Sequence, residues 1–319
     1  MPSFIDKVLD AAVAPGWSNI GYKVRRRSWD PIDESLEGRT VIVTGATSGL
    51  GKAASLELAR LGADLILVGR NPDKTERVRA DIADAAGNDN VRLEIADLSL
   101  MSEIRSLADR LLAAEPAIHV LVNNAGTLFV ERSETPEGIE STLATNLLGH
   151  FLLTNLLIPR MVESAPSRII NVASGGMYSQ RISIENLQND QGEYRGAAAY
   201  ARTKRGQVIL TEMWAEQLED SGVTVSSMHP GWADTPGVVE ALPTFHKITK
   251  PFLRTPAEGA DTIVWLAAGD EAEGESGLFW MDREPRPTHK TNRTKERPEE
   301  RRELWDALSE LSGWSQAQS

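Results

Sequence analysis

The chain contains no cysteine, which excludes disulfides, thiolate nucleophiles and cysteine-held metals. Histidine is scarce too. The five, His119, His150, His229, His246 and His289, are scattered and no two stand four apart. The helical spacing that brings two imidazoles to one ion is missing, so no metal is expected. Positive charge is in deficit: 34 Lys and Arg face 46 Asp and Glu, for a net charge of −12. Nucleic-acid binding needs a basic surface, so no nucleic-acid partner is expected. A long unbroken apolar run is also lacking. Leu143 to Pro159 comes nearest, but Thr145, Asn146, His150, Thr154 and Asn155 interrupt it. It is short for a membrane span and reads as a buried helix. The first residues, Met1 to Asp6, show no basic segment followed by an apolar one, so no secretory signal is read there. A soluble cytoplasmic protein is the expectation.

What is present is a regular alternation. The 319 residues can bury a large core as one α/β domain or two smaller ones. β-Branched runs at 40–43, 64–68, 91–95, 118–122, 168–172, 223–228 and 277–281 read as strands. Helical patterns fall between them at about 50–61, 73–85, 99–114, 138–162, 197–218 and 256–268. Alternation of this kind implies a parallel sheet with helices on both faces. No internal boundary is visible, so the body is expected to be one domain, 38–283. It is flanked by an N-terminal extension, 1–37, and a C-terminal extension, 284–319. The first carries Phe4, Val8, Leu9 and Ala12 and the basic run Arg25 to Arg27. Packing on the body is favoured for it over peripheral membrane contact through residues 1–27. Residues 284–300 read as an exposed linker, and 303–311 as a short terminal helix.

Two stretches carry chemistry. The first strand runs into Thr44-Gly45-Ala46-Thr47-Ser48-Gly49-Leu50-Gly51. Glycines there allow a tight turn and close approach of a phosphate to the backbone. The helix N-terminus that follows offers free N–H groups to a pyrophosphate. The second strand ends Val68-Gly69-Arg70-Asn71, with no acid to accept ribose hydroxyls. Arg70 can pair with a 2′-phosphate, which favours NADP(H) over NAD. Asp97 could accept from an adenine amino group. The turn Asn123-Asn124-Ala125-Gly126 lines the crevice at the sheet's edge. The second stretch is Tyr200-Ala201-Arg202-Thr203-Lys204. Four-residue spacing puts tyrosine and lysine on one helix face. A free tyrosine has a pKa of about 10, and an ammonium one turn away is expected to lower it. Ser174 can hydrogen-bond a substrate oxygen. Such a set can move a proton to or from an alcohol or ketone.

The motifs T-G-A-T-S-G-L-G, A-D-L, N-N-A-G, Asn146, Ser174, Y-A-R-T-K and P-G-W-A-D-T run in one order over about 200 residues. The chain thereby resembles the short-chain dehydrogenase/reductase family. That resemblance implies a three-layer, doubly wound Rossmann fold with a mostly or wholly parallel seven-stranded sheet. It implies Tyr200 as acid/base and Lys204 as the group that lowers its pKa and holds the nicotinamide ribose. Ser174 would orient a carbonyl, and Asn146 would anchor a water in a proton relay. Gly45, Ser48, Gly49, Leu50 and Gly51 would hold phosphates and ribose, with Asp97, Leu98, Asn124, Ala125 and Gly126 along the cofactor's path. Pro230, Gly231 and Thr235 would seat the nicotinamide. A homodimer or homotetramer pairing helices 138–162 and 197–218 is implied as well. Tyr200 follows Ser174 by 26 positions, about twice the common gap, as in retinol-dehydrogenase-like members. The extra segment, Met177 to Ala198, is expected to form a loop beside the substrate pocket. Residues 236–256 should form a lid, with Val238, Val239, Leu242, Phe245, Ile248, Phe252 and Leu253. These side chains, with Trp232 and Met177, either face a pocket for an apolar carbonyl or alcohol or pack on the core or a second copy. Either a reductase or an NADP-binding sensor or scaffold with little turnover fits this reading.

Overall fold

Alternating side chains on the β-branched runs face opposite sides of a pleated strand, and in the computed structural model both sides are buried. The structure describes residues 6, 9, 10, 12–241 and 243–315, with backbone alone at 238, 240, 241 and 245. Strands β1 (Thr40–Thr44), β2 (Asp64–Gly69), β3 (Val91–Ile95), β4 (Val120–Asn123), β5 (Ser167–Val172), β6 (Val223–Met228), β7 (Phe279–Met281) and β8 (Glu284–Arg286) form one sheet. Their order is β3-β2-β1-β4-β5-β6-β7-β8. The first seven strands are parallel, as expected. The eighth was not read from the sequence. It pairs antiparallel with β7 within the stretch expected to be an exposed linker. Asp282 and Arg283 make its two-residue turn, both with positive φ, 56° and 57°, the geometry of a tight hairpin.

The helices are α1 (Val13–Trp17), α2 (Asn19–Arg25), α3 (Gly49–Arg60), α4 (Pro72–Ala86), α5 (Met101–Ala114), α6 (Ser141–Glu163), α7 (Gly196–Gln217), α8 (Pro236–Ala241), α9 (Pro243–Thr249), α10 (Pro256–Ala268) and α11 (Pro298–Ser312). Val41, Val43, Leu65 and Leu67 pack with α3, α4 and α10 on one face of the sheet. Ile42, Ile66, Val68 and Leu121 pack with α5, α6 and α7 on the other. Helix α6 is long and apolar enough to cross a membrane, yet 83% of its apolar window is buried within the body. It is a core helix, as the polar interruptions imply. Helix α11 adds Leu304 and Leu308 to the same core, beside Phe151 and Trp214. This α/β architecture turns at the crevice between β1 and β4, where neighbouring crossovers leave on opposite faces. Ligands bind at such a switch point, outside the carboxyl ends of the strands.

The flanks are bound to the body. Arg25 is buried and paired at 2.6 Å with both Asp6 and Asp282, so only Arg26 and Arg27 of the basic run are exposed. Of the amphipathic stretch, Phe4 and Val8 lie outside the described residues.

Candidate active site

β1 delivers the chain to the Gly-rich turn, and Thr44 organises it. The Thr44 hydroxyl donates to the Val122 carbonyl at 3.1 Å and accepts from the Asn124 and Ala125 amides at 2.9 and 3.1 Å. The Asn124 side chain donates to the carbonyls of Thr44 (2.8 Å) and Gly45 (3.3 Å). Asn124 thus braces the turn from the side. Gly45 and Gly49 have φ of +64° and +54°, which glycine adopts without a steric cost. A Cβ on Gly51 would lie 2.4 Å from both the Gly45 carbonyl oxygen and the Asn124 amide nitrogen. Ser48 is the extended N-cap of α3, and Leu50 packs beside the core. The turn therefore leaves its backbone open at the helix start, the arrangement a phosphate needs.

Arg70 directly follows β2, exposed, and makes no ion pair among the described residues. Asp97 is half-buried, and one of its carboxylate oxygens accepts from the Ser99 amide (2.9 Å) and hydroxyl (2.7 Å). The Leu98 side chain belongs to the core, so only its backbone can face a nucleotide. These placements fit a phosphorylated dinucleotide along the strand edges.

The candidate reacting groups meet at the ends of β4 and β5 and on α7. Ser174 follows β5, and its hydroxyl accepts from the Gly176 amide at 3.1 Å. Tyr200 stands close by: a Cβ on Gly176 would lie 3.5 Å from Ser174 Oγ and 3.9 Å from the Tyr200 ring. The Lys204 ammonium lies 5.5 Å from the centre of the Tyr200 ring and donates to the Val172 carbonyl at 2.8 Å. Gly126 closes the group, since a Cβ there would touch Lys204 Nζ at 3.4 Å and Asn146 Oδ1 at 3.5 Å. The long insertion does not separate Ser174 from Tyr200. A strand end and the next helix converge whatever the length of the chain between them.

One expectation changes. Burial raises the Tyr200 phenol above its usual value, and the Ser174 hydroxyl only partly opposes this. Lys204 does not lower it, because the lysine itself is buried, pushed down to about 7, and directed at the Val172 carbonyl. Asn146 sits in a π-helical turn, Ala144–Leu148, a feature that recurs at functional sites. Its side-chain oxygen accepts from the Thr127 amide (2.8 Å), and its amide group donates to the Thr127 carbonyl (2.8 Å) and the Thr203 hydroxyl (3.2 Å). One amide hydrogen is thus used on the loop after β4 and one on α7.

Pro230, Gly231 and Thr235 follow β6, and Thr235 Cβ stands 3.3 Å from the Cβ position of Gly49, closing the loop over the Gly-rich turn. Met177 is fully buried with Ala173, Val208 and Phe279 and so faces the core. Trp232 packs edge-on against Trp17, with ring centres 6.3 Å apart. Val239, Ile248 and Phe252 are exposed, and Leu253 is buried. The side chains of Val238, Leu242 and Phe245 lie outside the described residues. The inserted segment folds over the loop before α6: Gln188 accepts from Arg132 (3.3 Å) and from the Glu140 amide (3.1 Å). Sequence reasoning missed Thr44, Thr127, Thr203, His229 and Trp17. Thr44 lay within the quoted motif. Thr203 lay within the Tyr200–Lys204 stretch and Thr127 directly after the Asn123–Gly126 turn, whereas Trp17 is brought in from a distant segment.

The family profile for short chain dehydrogenase matches residues 39–244. The chain belongs to that family. It is 39% identical over 300 residues to dehydrogenase/reductase SDR family member 12 of Bos taurus, covering 93% of this chain and 94% of that one. It is 36% identical over 286 residues to retinol dehydrogenase 12 of Bos taurus, covering 88% of each. An uncharacterised protein from Mycobacterium Paratuberculosis superposes with a TM-score of 0.72 at 28% identity, over 90% of this chain and 98% of that one. A Beutenbergia cavernae crystal structure with bound NADP at low occupancy superposes with a TM-score of 0.64 at 28% identity, over 78% and 96%. The short-chain dehydrogenase described here is therefore an oxidoreductase by family, and Ser174, Tyr200 and Lys204 fall within its family-matching segment.

Proposed function

We propose that this short-chain dehydrogenase interconverts an apolar ketone or aldehyde and its alcohol with NADP(H), using Tyr200 as the acid/base. The carrying observation is the grouping of Ser174, Tyr200 and Lys204 at the end of β5. The cradle of Gly45, Gly49 and Gly51 supports the dinucleotide, and exposed Arg70 supports the 2′-phosphate. The bound NADP in the Beutenbergia cavernae relative favours the same cofactor. The retinol dehydrogenase relatives favour an apolar substrate.

The bound nicotinamide supplies or takes up the hydride. The chain's own residues do the rest. The hydroxyls of Ser174 and Tyr200 point two donors at the carbonyl oxygen, where negative charge develops. In reduction the phenolic proton passes to that oxygen, so the carbonyl gains a proton as its carbon gains a hydride. In oxidation the phenolate takes the proton back. Lys204 keeps a positive or proton-bearing group beneath the ring, and Asn146 fixes the loop on the far side through Thr127.

Tyr200→Phe tests this. It should reduce NADPH consumption with an apolar carbonyl panel by about a hundredfold or more, the usual scale for a lost acid/base. NADPH binding, read by fluorescence, should stay near wild type. Near-normal turnover by the variant would overturn the assignment.

A further inference from the structure

The N-terminal segment reaches the site through one side chain. Trp17, at the end of α1, is 8% exposed. A Cβ on Gly175, the residue after Ser174, would lie 2.4 Å from the Trp17 ring, so the indole rests directly on that backbone. His229 holds the same backbone from beside the indole. Its Nδ1 accepts from the Gly175 amide at 3.0 Å, and its ring packs edge-on against Trp17 at 4.6 Å. The Trp17 carbonyl also accepts from the Trp232 amide at 2.8 Å. Gly231, with φ +73°, has no room for a side chain, because a Cβ would meet Arg254 at 2.3 Å and the Trp17 carbonyl at 2.7 Å. One residue therefore touches two loops: the one that carries Ser174, and the one that runs from His229 to Thr235.

The segment is anchored so that this contact is rigid. Arg25 donates to the Gly16 carbonyl at 2.7 Å and pairs with Asp282 at 2.6 Å. Arg254 donates to the carbonyls of Ser18 and Gly16, each at 3.2 Å, and pairs with the same Asp282. Lys290, from the C-terminal flank, lies 5.6 Å from the centre of the Trp17 ring. The adenine half of the cradle is held differently. Thr44, Asn124 and Ser99 fix Gly45 and Asp97, and none of these bonds involves residues 13–25.

We propose that residues 13–25 are a strap over the nicotinamide half of the cofactor site and that Trp17 is its positioning residue. The strap fixes Ser174 through Gly175, and Thr235 through Gly231 and Trp232, and leaves the adenine half to itself. This rests on the NADP(H) reading above.

The test uses the full chain with two ligands. NADPH spans both halves of the site, whereas 2′,5′-ADP occupies only the adenine half. Trp17→Ala should weaken NADPH about tenfold or more, a loss of about 1.4 kcal/mol. The affinity for 2′,5′-ADP should stay within about twofold of wild type, and Trp17→Phe should restore most of the NADPH affinity. Without any ligand, amide hydrogen exchange at Gly175 and Trp232 should speed up in Trp17→Ala, while Asn124 keeps its rate. If Trp17→Ala fails to fold, Trp17→Leu carries the same comparison. Unchanged NADPH affinity, or equal weakening of both ligands, overturns the strap. A wild-type chain that binds neither ligand overturns the cofactor reading itself, and the strap with it.

Discussion

At the residue scale, burial outweighs neighbouring charge in this site. Lys204 is the clearest case: a lysine buried without a carboxylate partner loses its proton at about 7 rather than at its ordinary 10.5. The unfolded chain therefore binds a proton between about pH 7 and 10.5 that the folded chain has released. Stability from this group is complete above that range and is lost as pH falls through about 7. Lys204→Met should accordingly raise the melting temperature more at pH 6 than at pH 9, read by thermal melts across pH. A constant difference between the two pH values would refute the assignment. His150 acts in the same direction. Burial first, and the Lys204 charge second, push its imidazole down to about 3. Gln207 donates to its Nδ1 at 2.8 Å in the neutral tautomer. Between 6.5 and about 3 the unfolded histidine takes up a proton that the folded one refuses, so stability is lost as pH is lowered through that range. His150→Asn should flatten the slope of melting temperature against pH between about 6.5 and 4.

At the scale of elements, the cofactor turn works because backbone meets backbone. Gly51 faces the Gly45 carbonyl, which cannot retreat without moving the strand that ends in Thr44. Gly51→Ala should cost about 1–3 kcal/mol through overpacking and weaken NADPH binding. Calorimetry on the folded variant would show both, and unchanged affinity would mean that the phosphates lie elsewhere. The π turn in α6 is a second local device. It lets Asn146 leave the helix surface and bond the Thr127 backbone on both its amide and its carbonyl. The first device needs only the neighbouring strand and turn, and the second reaches one helix further, to Thr203 on α7.

At the scale of the molecule, a buried ion-pair cluster joins the N-terminal flank to the body. Asp282 bonds Arg25 from the N-terminal flank and Arg254 from the loop before α10. Burial alone would raise its carboxyl; the two guanidinium groups overcome that and hold it below the usual range. Asp282→Ala leaves both arginines buried without that partner and should cost about 3–5 kcal/mol, visible in chemical denaturation. A loss under about 1 kcal/mol would show the cluster to be loosely held. Helix α11 lies against α6 and α7, with Leu304 and Leu308 fully buried. Pairing of copies through those helices has to use the surface α11 leaves free or displace it.

The strand–helix alternation, the glycine turn, Ser174, Tyr200 and Lys204 were legible in the sequence because each depends on short-range spacing. A period of two, a glycine at positive φ and a four-residue helical step are local properties, and they fix the sheet, the cradle and the shared face. What only the tertiary structure decided depends on burial and on distant partners. The Tyr200–Lys204 spacing predicts a lowered phenol pKa, yet the three-dimensional surroundings bury both groups and turn the lysine toward Val172. Met177 carries no mark that sends it into the core. The strand β8 needs β7 as its partner before it exists at all. Trp17 reads as an aromatic in a flanking extension until the fold sets it against Gly175, His229 and Trp232. A sequence encodes such contacts only through the whole chain, so the residues that gather at the site were readable in advance, and what holds them in place was not.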